Sequence, residues 1–156
     1  MERKANRLSS FNYNQNGAYF ITVCTRNKEK ILGDIVGGGA LDAPKIKLSP
    51  IGEIVEKYIL STNKIPEITV DKYVIMPNHI HLLLTVENEK GTSWAPSPTN
   101  NVISHSISTL KRFVNKAVGE NVFQRSYYDH VIRNQTDYNE AWEYIENNPI
   151  KWCECS

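Results

Sequence analysis

The sequence is poor in cysteine and has no long apolar run. Its three cysteines are Cys24, Cys153 and Cys155. An odd count argues against a disulfide framework, and the Cys-x-Cys tail lacks the second pair that a zinc site needs. No apolar stretch is long enough to span a membrane, and residues 1–7 lack the apolar segment of a signal peptide. These absences favour a cytoplasmic protein with no membrane partner and no disulfide scaffold.

A strong net charge is also absent. The formal charge is +1 at pH 7, and 40% hydrophobic with 22% charged residues is ordinary for a soluble globular protein. The length favours one domain, residues 1–156. Basic residues nevertheless concentrate in 1–30 and 102–133, and acidic ones in 135–156. This asymmetry is compatible with a local surface for an anionic ligand, although solvated faces explain it at least as well.

The periodic segments predict an α+β fold. Four segments rich in β-branched and aromatic residues predict strands, and three amphipathic segments predict helices between and after them. The order β-α-β-β-α-β-α fits a split β-α-β arrangement of the ferredoxin-like or RRM-like kind. We therefore expect an antiparallel sheet with helices on one face, the other face free for a ligand, and a C-terminal helix. The predicted strands are 18–25, 68–76, 79–86 and 123–132, and the helices are 50–62, 101–118 and 138–148.

Three helix boundaries carry local signals. Ser49 followed by Pro50 suits the start of the first helix, because serine caps and proline fits the first helical position. Gly119 marks the end of the second helix. Asp137 is expected to cap the third helix, with Glu140 completing a capping box.

Residues 32–48 interrupt this pattern with glycines at 37–39. We expect a flexible excursion or a loose hairpin there. A phosphate-cradling loop is the sharper alternative, but the lysine and the serine or threonine that such a loop needs are missing.

Two histidines follow a Pro-Asn turn between apolar runs in residues 73–84. Side chains alternate along a strand, so His79 and His81 share one face while Ile80 and Leu82 point into the core. Paired neutral imidazoles suit a divalent metal. The pair by itself is equally compatible with structural histidines.

The third helix presents a second set of polar side chains. At 100° per residue, Trp142 and Ile145 fall within about 40° of Tyr138, and the three define the expected buried stripe. Tyr144 and Asn148 lie together on a flank of that stripe, one turn apart. A tyrosine hydroxyl beside an amide oxygen suits a nucleophile next to a metal ligand.

Together these motifs resemble a known family. His79-Ile80-His81 after residues 76–78, with Tyr144 and Asn148 within 144–149, is similar to the single-tyrosine HUH transposases, and more specifically to the REP-associated tyrosine transposases. Segments 19–22 and 127–134 resemble the same family. The motifs occur in the family's order over essentially the whole chain.

The resemblance implies roles for particular residues. His79, His81 and Asn148 would bind Mg²⁺ or Mn²⁺, and Tyr144 would attack a phosphate of single-stranded, hairpin-forming DNA to give a 5′-phosphotyrosine intermediate. The protein would act as a monomer or a homodimer. By the same analogy, Tyr127 and Tyr128 would stack on bases. The candidate phosphate contacts are Arg3, Lys4, Arg7, Lys111, Arg112, Arg125 and Arg133.

Two other functions remain open on the sequence. A non-catalytic or domesticated nucleic-acid-binding module would use the same scaffold without the chemistry. A metal-dependent phosphodiesterase, in which water attacks, would need both histidines but not Tyr144.

Overall fold

The structure is a computed structural model that describes residues 17–37, 45–65, 67–87 and 99–148, without the side chains of 99–101. The candidate DNA contacts Arg3, Lys4 and Arg7 and the cysteines Cys153 and Cys155 lie outside the described residues. Predictions about them therefore stay predictions.

Six strands and three helices make up the described chain, with short 3₁₀ turns at Arg26–Lys28 and Thr62–Lys64. The elements are β1 Gly17–Cys24, β2 Gly33–Val36, β3 Lys45–Leu48, α1 Pro50–Ser61, β4 Ile68–Met76, β5 His79–Val86, α2 Thr99–Val118, β6 Tyr128–Val131 and α3 Gln135–Glu146. The main sheet has the order β4-β5-β1-β6 and is antiparallel throughout. This is the strand order of a split β-α-β fold, so the predicted α+β architecture is confirmed. β2 and β3 pair as a separate hairpin, as expected for residues 32–48.

One face of the main sheet forms the principal core. Alternate residues of β1 and β5 point into it, because side chains change face at every residue of a strand. α1 and α2 cover this face with stripes at helical spacing, as predicted. Ala117 is an exception: it is exposed, and Val118 packs instead in the last turn of α2, which ends at Gly119 with a φ of 96°. The main core residues are Tyr19, Ile21, Val23, Val55, Ile59, Ile80, Leu82, Leu84, Ile103, Ile107, Leu110 and Val114.

α3 packs on the other face of the sheet, which is therefore only partly free. Ile145 of α3, 1% exposed, packs with Leu83 of β5 and with Ile132. Ala141 and Tyr138 extend this small cluster along the helix. The C-terminal helix thus shares a face with the side chains of His79 and His81.

The first predicted helix start is confirmed and the third is wrong. Ser49 Oγ accepts a hydrogen bond from the backbone N–H of Gly52 at 3.0 Å. α3 begins one turn earlier than expected, because Asn134 Oδ1 accepts from the N–H of Asp137 at 2.8 Å and is the N-cap. Asp137 lies in the first turn and accepts from the backbone N–H of Arg133 at 3.1 Å. Either residue type caps well, and the sequence did not distinguish them.

The last strand is shorter than the predicted 123–132. Only Tyr128–Val131 pair with β1, and Phe123 makes an isolated bridge to Thr25. The intervening carbonyls of Gln124, Arg125 and Ser126 instead accept hydrogen bonds from Lys111 Nζ, at 2.8, 2.9 and 3.3 Å. These carbonyls are directed toward α2, and continuous strand pairing with β1 begins only at Tyr128.

Candidate active site

The turn between β4 and β5 orients the first histidine. The amide nitrogen of Asn78 donates to the carbonyl of Lys28 at 3.4 Å, so its Oδ1 faces His79 Nδ1, 2.8 Å away. Because an amide oxygen only accepts, Nδ1 of His79 carries the proton and Nε2 keeps a lone pair. The turn itself is fixed by Thr25, whose N–H and hydroxyl donate to the carbonyl of Asn78 at 3.0 and 3.1 Å.

The second histidine is held by the neighbouring strand. Thr22 lies directly opposite His81 in the β1–β5 register, and its Oγ1 is 2.9 Å from His81 Nδ1. His81 is 5% exposed, and its Nε2 is buried with no hydrogen-bond partner among the residues that the structure describes. A buried polar nitrogen left unpaired costs free energy, so this atom points to a group that binds there.

The two imidazoles are adjacent and electrically neutral at pH 7. Their ring centroids are 4.7 Å apart. Burial and, to a smaller extent, the neighbouring His79 lower the pKa of His81 to about 3. Burial also lowers the pKa of His79, an effect that the positive charge of Lys28 adds to and a hydrogen bond with Asn148 opposes. Neutral imidazole is the form that binds metals.

α3 brings Tyr144 and Asn148 to the histidines. The Tyr144 ring stands edge-on to the His81 ring at 5.3 Å and is 43% exposed. Asn148 is 6% exposed and hydrogen-bonds with His79 through its side chain. Its amide nitrogen donates to the carbonyl of Tyr144 at 3.3 Å, so its Oδ1 is the atom left for another partner. The four residues singled out in the sequence therefore converge on one site.

Two site residues were missed in the sequence. Phe20 stacks on His81 at 5.0 Å with an interplanar angle of 21°, and it meets Tyr144 edge-on at 5.7 Å. Thr22 is the hydrogen-bond partner of His81. Both lie on β1 at positions that alternate with the core, but identifying them needs the β1–β5 register, which one sequence does not give.

Trp142 does not belong to the buried stripe of α3. It is 39% exposed, and the ammonium of Lys72 lies 4.5 Å from its ring centroid. Ala141, rather than Trp142, packs against the sheet beside Ile145. The prediction was wrong because the stripe is centred on Ile145, which places Trp142 on a flank that faces β4.

The candidate base-stacking tyrosines point in different directions. Tyr127 packs against the principal core, and its hydroxyl is 2.9 Å from Ser104 Oγ. Tyr128 is 65% exposed and pairs with Thr22 in the β1–β6 register. Directly paired residues share a face, so Tyr128 stands in the same row as His81. Of these two tyrosines, only Tyr128 can contact a ligand on the face of the sheet that carries the histidines.

The candidate phosphate contacts are similarly divided. The ammonium of Lys111 donates to three carbonyls, which uses its three protons, and burial lowers its pKa. That geometry conflicts with its predicted role as a phosphate contact. Arg112 stacks on Phe113 at 5.5 Å in the helical layer on the far side of the sheet from the histidines. Arg125 and Arg133 are exposed near either end of β6.

The donor atoms suit a divalent metal ion. Nε2 of each histidine and Oδ1 of Asn148 form a set of two imidazoles and one amide oxygen, and the orphaned Nε2 of His81 fits a ligand atom. No cluster of three histidine, cysteine, aspartate or glutamate side chains within the described ranges could hold a metal ion. A metal at this site would therefore need Asn148.

Comparison with known proteins places this chain in one class, the transposases. The chain belongs to the IS200-like transposase family, whose model matches residues 15–148. Transposases of this family process DNA. None of the helices in the described part of the chain is long and apolar enough to cross a membrane.

Relatives of this chain include two curated proteins and one solved structure. An uncharacterized protein of Haemophilus influenzae is 32% identical over 96% of this chain and 89% of its own length. The REP-associated tyrosine transposase of Escherichia coli is 23% identical over 89% of this chain and 70% of its own. A REP-associated tyrosine transposase solved with a REP hairpin has a TM-score of 0.63 at 21% identity, covering 97% of this chain and 74% of that one. This last likeness concerns the fold.

Proposed function

We propose that the protein nicks and rejoins single-stranded DNA through a covalent bond to Tyr144. The observation that carries the proposal is the convergence of Tyr144 with the histidine pair, with 5.3 Å between the ring centroids of Tyr144 and His81. A metal-bound phosphate requires a nucleophile within reach, and a half-exposed phenol beside two neutral imidazoles meets that requirement.

Three side chains of this chain hold the metal in the proposal. His79 and His81 contribute Nε2, and Asn148 contributes Oδ1. When bound, Mg²⁺ or Mn²⁺ polarises a phosphate oxygen and offsets the negative charge that develops in the transition state. Asn78 accepts the Nδ1 proton of His79, and the Thr22 hydroxyl can accept that of His81, which leaves each Nε2 for the metal.

Tyr144 supplies the nucleophile. Its phenolic oxygen attacks phosphorus, an O–P bond to tyrosine forms, and the bond from phosphorus to the 3′ oxygen breaks. The phenolic proton ends on the leaving 3′ hydroxyl. The 5′-phosphotyrosine keeps the free energy of the phosphodiester, so another 3′ hydroxyl can reverse the step and join a new strand. Phe20 restricts the phenol by its edge-on contact.

Hairpin-forming DNA is the proposed substrate. A relative of the same fold was solved with a REP hairpin, which supports this class of ligand. Lys28 lies close enough to lower the pKa of His79 and is exposed, so it is a candidate phosphate contact beside the site. Tyr128 is a candidate stacking surface for a base next to the reacting phosphate.

A covalent adduct tests the proposal. The protein is incubated with hairpin-bearing single-stranded DNA and Mn²⁺, and the products are separated on a denaturing gel. We expect a protein–DNA adduct that EDTA prevents and that Tyr144→Phe abolishes. Cleavage without an adduct would instead indicate attack by water. Binding without cleavage would indicate a non-catalytic module.

A further inference from the structure

A β-bulge in β4 directs two consecutive side chains toward α3. The pairing of β4 with β5 shifts between Val70 and Lys72, which leaves Asp71 as an extra residue. A bulge interrupts the strict alternation of a strand, so neighbouring residues can serve the same face. Asp71 Oδ2 accepts from Thr85 Oγ1 at 2.5 Å, and Lys72 pairs with Leu83, which packs under α3.

The two bulge residues contact α3 at three positions one turn apart. The hydroxyl of Tyr138 donates to Asp71 Oδ2 at 2.7 Å. Lys72 Nζ is 2.6 Å from Glu146 Oε1 and 4.5 Å from the ring centroid of Trp142. Positions i, i+4 and i+8 form a continuous stripe on a helix. We call these five residues the β4 clamp.

The β4 clamp and the active site lie on opposite flanks of α3. Ile145 is buried against the sheet and so marks the side of α3 that faces the sheet. At 100° per residue the clamp stripe falls about 20° to 100° to one side of Ile145. Tyr144 and Asn148 fall about 60° to 100° to the other side. Any rotation of α3 about its axis therefore changes the clamp contacts and moves the nucleophile at once.

We propose that Asp71 and Lys72 are positioning residues that set the rotation of α3 and thereby the place of the Tyr144 phenolic oxygen. This inference rests on the proposed function of Tyr144. The phenolic oxygen of a helical tyrosine lies roughly 8 Å from the helix axis, so a rotation of about 10° moves it by more than about 1 Å. A displacement of about 1 Å can reduce a reaction rate about a hundredfold.

The contacts of the β4 clamp are better suited to fixing the orientation of α3 than to raising the free energy of unfolding. Glu146 is 58% exposed, and ion pairs between exposed side chains contribute little to the free energy of unfolding. The contacts are instead directional, because a carboxylate accepts the tyrosine hydroxyl and an ammonium lies over an indole ring. Burial and the carboxylate of Asp71 raise the pKa of Tyr138, so its hydroxyl remains a donor across the range of any assay.

Conservative variants separate positioning from folding. Lys72→Met removes the charge and keeps most of the aliphatic chain, and Tyr138→Phe removes only the hydroxyl. Lys72→Arg retains a cation for both Trp142 and Glu146 and serves as the rescue variant. Lys57→Met is the matched control, because it removes an exposed cation that lies 5.4 Å from the Tyr58 ring centroid on α1, on the opposite face of the sheet from α3.

The measurements are single-turnover adduct formation at saturating DNA, the dissociation constant for DNA, and amide hydrogen exchange along α3. We expect Lys72→Met and Tyr138→Phe each to slow adduct formation about tenfold, to leave DNA affinity unchanged and to speed exchange in α3 but not α1. Lys72→Arg and Lys57→Met should keep the wild-type rate.

Unchanged rates in both variants, or a loss confined to DNA affinity, would overturn the inference. If Tyr138→Phe unfolds at the assay temperature, the comparison of Lys72→Met with Lys72→Arg still decides, because both replace a partly exposed side chain. If the wild-type protein forms no adduct, the proposed function fails, and hydrogen exchange alone decides whether the clamp fixes α3.

Discussion

Replacing Thr22 by valine tests whether the histidine pair is built for a metal. The substitution removes one hydroxyl and keeps a β-branched shape, so β1 should keep its pairing with β5 and β6. The lost atom is the 2.9 Å partner of His81 Nδ1. Without it, the Nδ1 proton has lost its hydroxyl acceptor in the tautomer that directs the unprotonated Nε2 of His81 to a metal.

We expect Thr22→Val to change two quantities, the affinity for the metal and the stability of the metal-free protein. Loss of such an outer hydrogen bond typically weakens metal binding about 10- to 100-fold. The metal-free protein also loses stability, by about 1–3 kcal/mol, because a buried ring nitrogen is left without a partner. Thr22→Ser keeps the hydroxyl and is the matched control, which we expect to lose little in either respect.

The assay is a Mn²⁺ titration of adduct formation, with direct Mn²⁺ binding measured by electron paramagnetic resonance. We expect the Mn²⁺ concentration for half-maximal rate to rise at least about tenfold for Thr22→Val, with little change in the rate at saturation. Wild-type metal affinity in Thr22→Val would refute the reasoning. So would equal losses in the serine and valine variants.

Three further predictions concern the ligand and the protons. Tyr128→Ala should weaken single-stranded DNA binding by about 1–3 kcal/mol in fluorescence anisotropy, while Phe113→Ala, an exposed aromatic on the far side of the sheet, should not. Lys28→Gln should reduce the slope of log affinity against log salt by about one, measured over a salt series. In EDTA, the free energy of unfolding should fall by up to about 2 kcal/mol between pH 6.5 and 5, because His81, with a pKa of about 3, stays neutral when folded and takes up a proton when unfolded. Urea unfolding checks this, and a His81→Gln variant with the same slope would contradict it.

The order of elements along the chain and the α+β class could be predicted because the hydrophobic periods were clear. The core stripes of β5 and α2 follow strict spacing, and the turn at residues 77–78 fixed the hairpin. The placement of the His79 and His81 side chains on one face of the sheet followed from the alternation of side chains along a strand. Local signals were enough wherever one element determined the outcome.

The sequence was insufficient where two elements compete for the same groups. Residues 124–126 have strand-like neighbours, but Lys111 of α2 takes their carbonyls. Trp142 fits an apolar stripe, yet it lies under Lys72 of a bulged strand, and a single sequence does not reveal a bulge. Thr22 joins the site only through strand register. These contacts join elements that are distant in the sequence, so the hydrophobic periodicity of one segment does not predict them.

The identity of the residue that carries the DNA tests the account most directly. The adduct formed with Mn²⁺ and hairpin DNA is digested with nuclease and protease, and the modified peptide is sequenced by mass spectrometry. The account predicts a nucleotide attached to Tyr144 through its 5′ phosphate. Attachment to Tyr128, Tyr138 or any other residue would contradict it, as would complete cleavage of the DNA with no modified peptide.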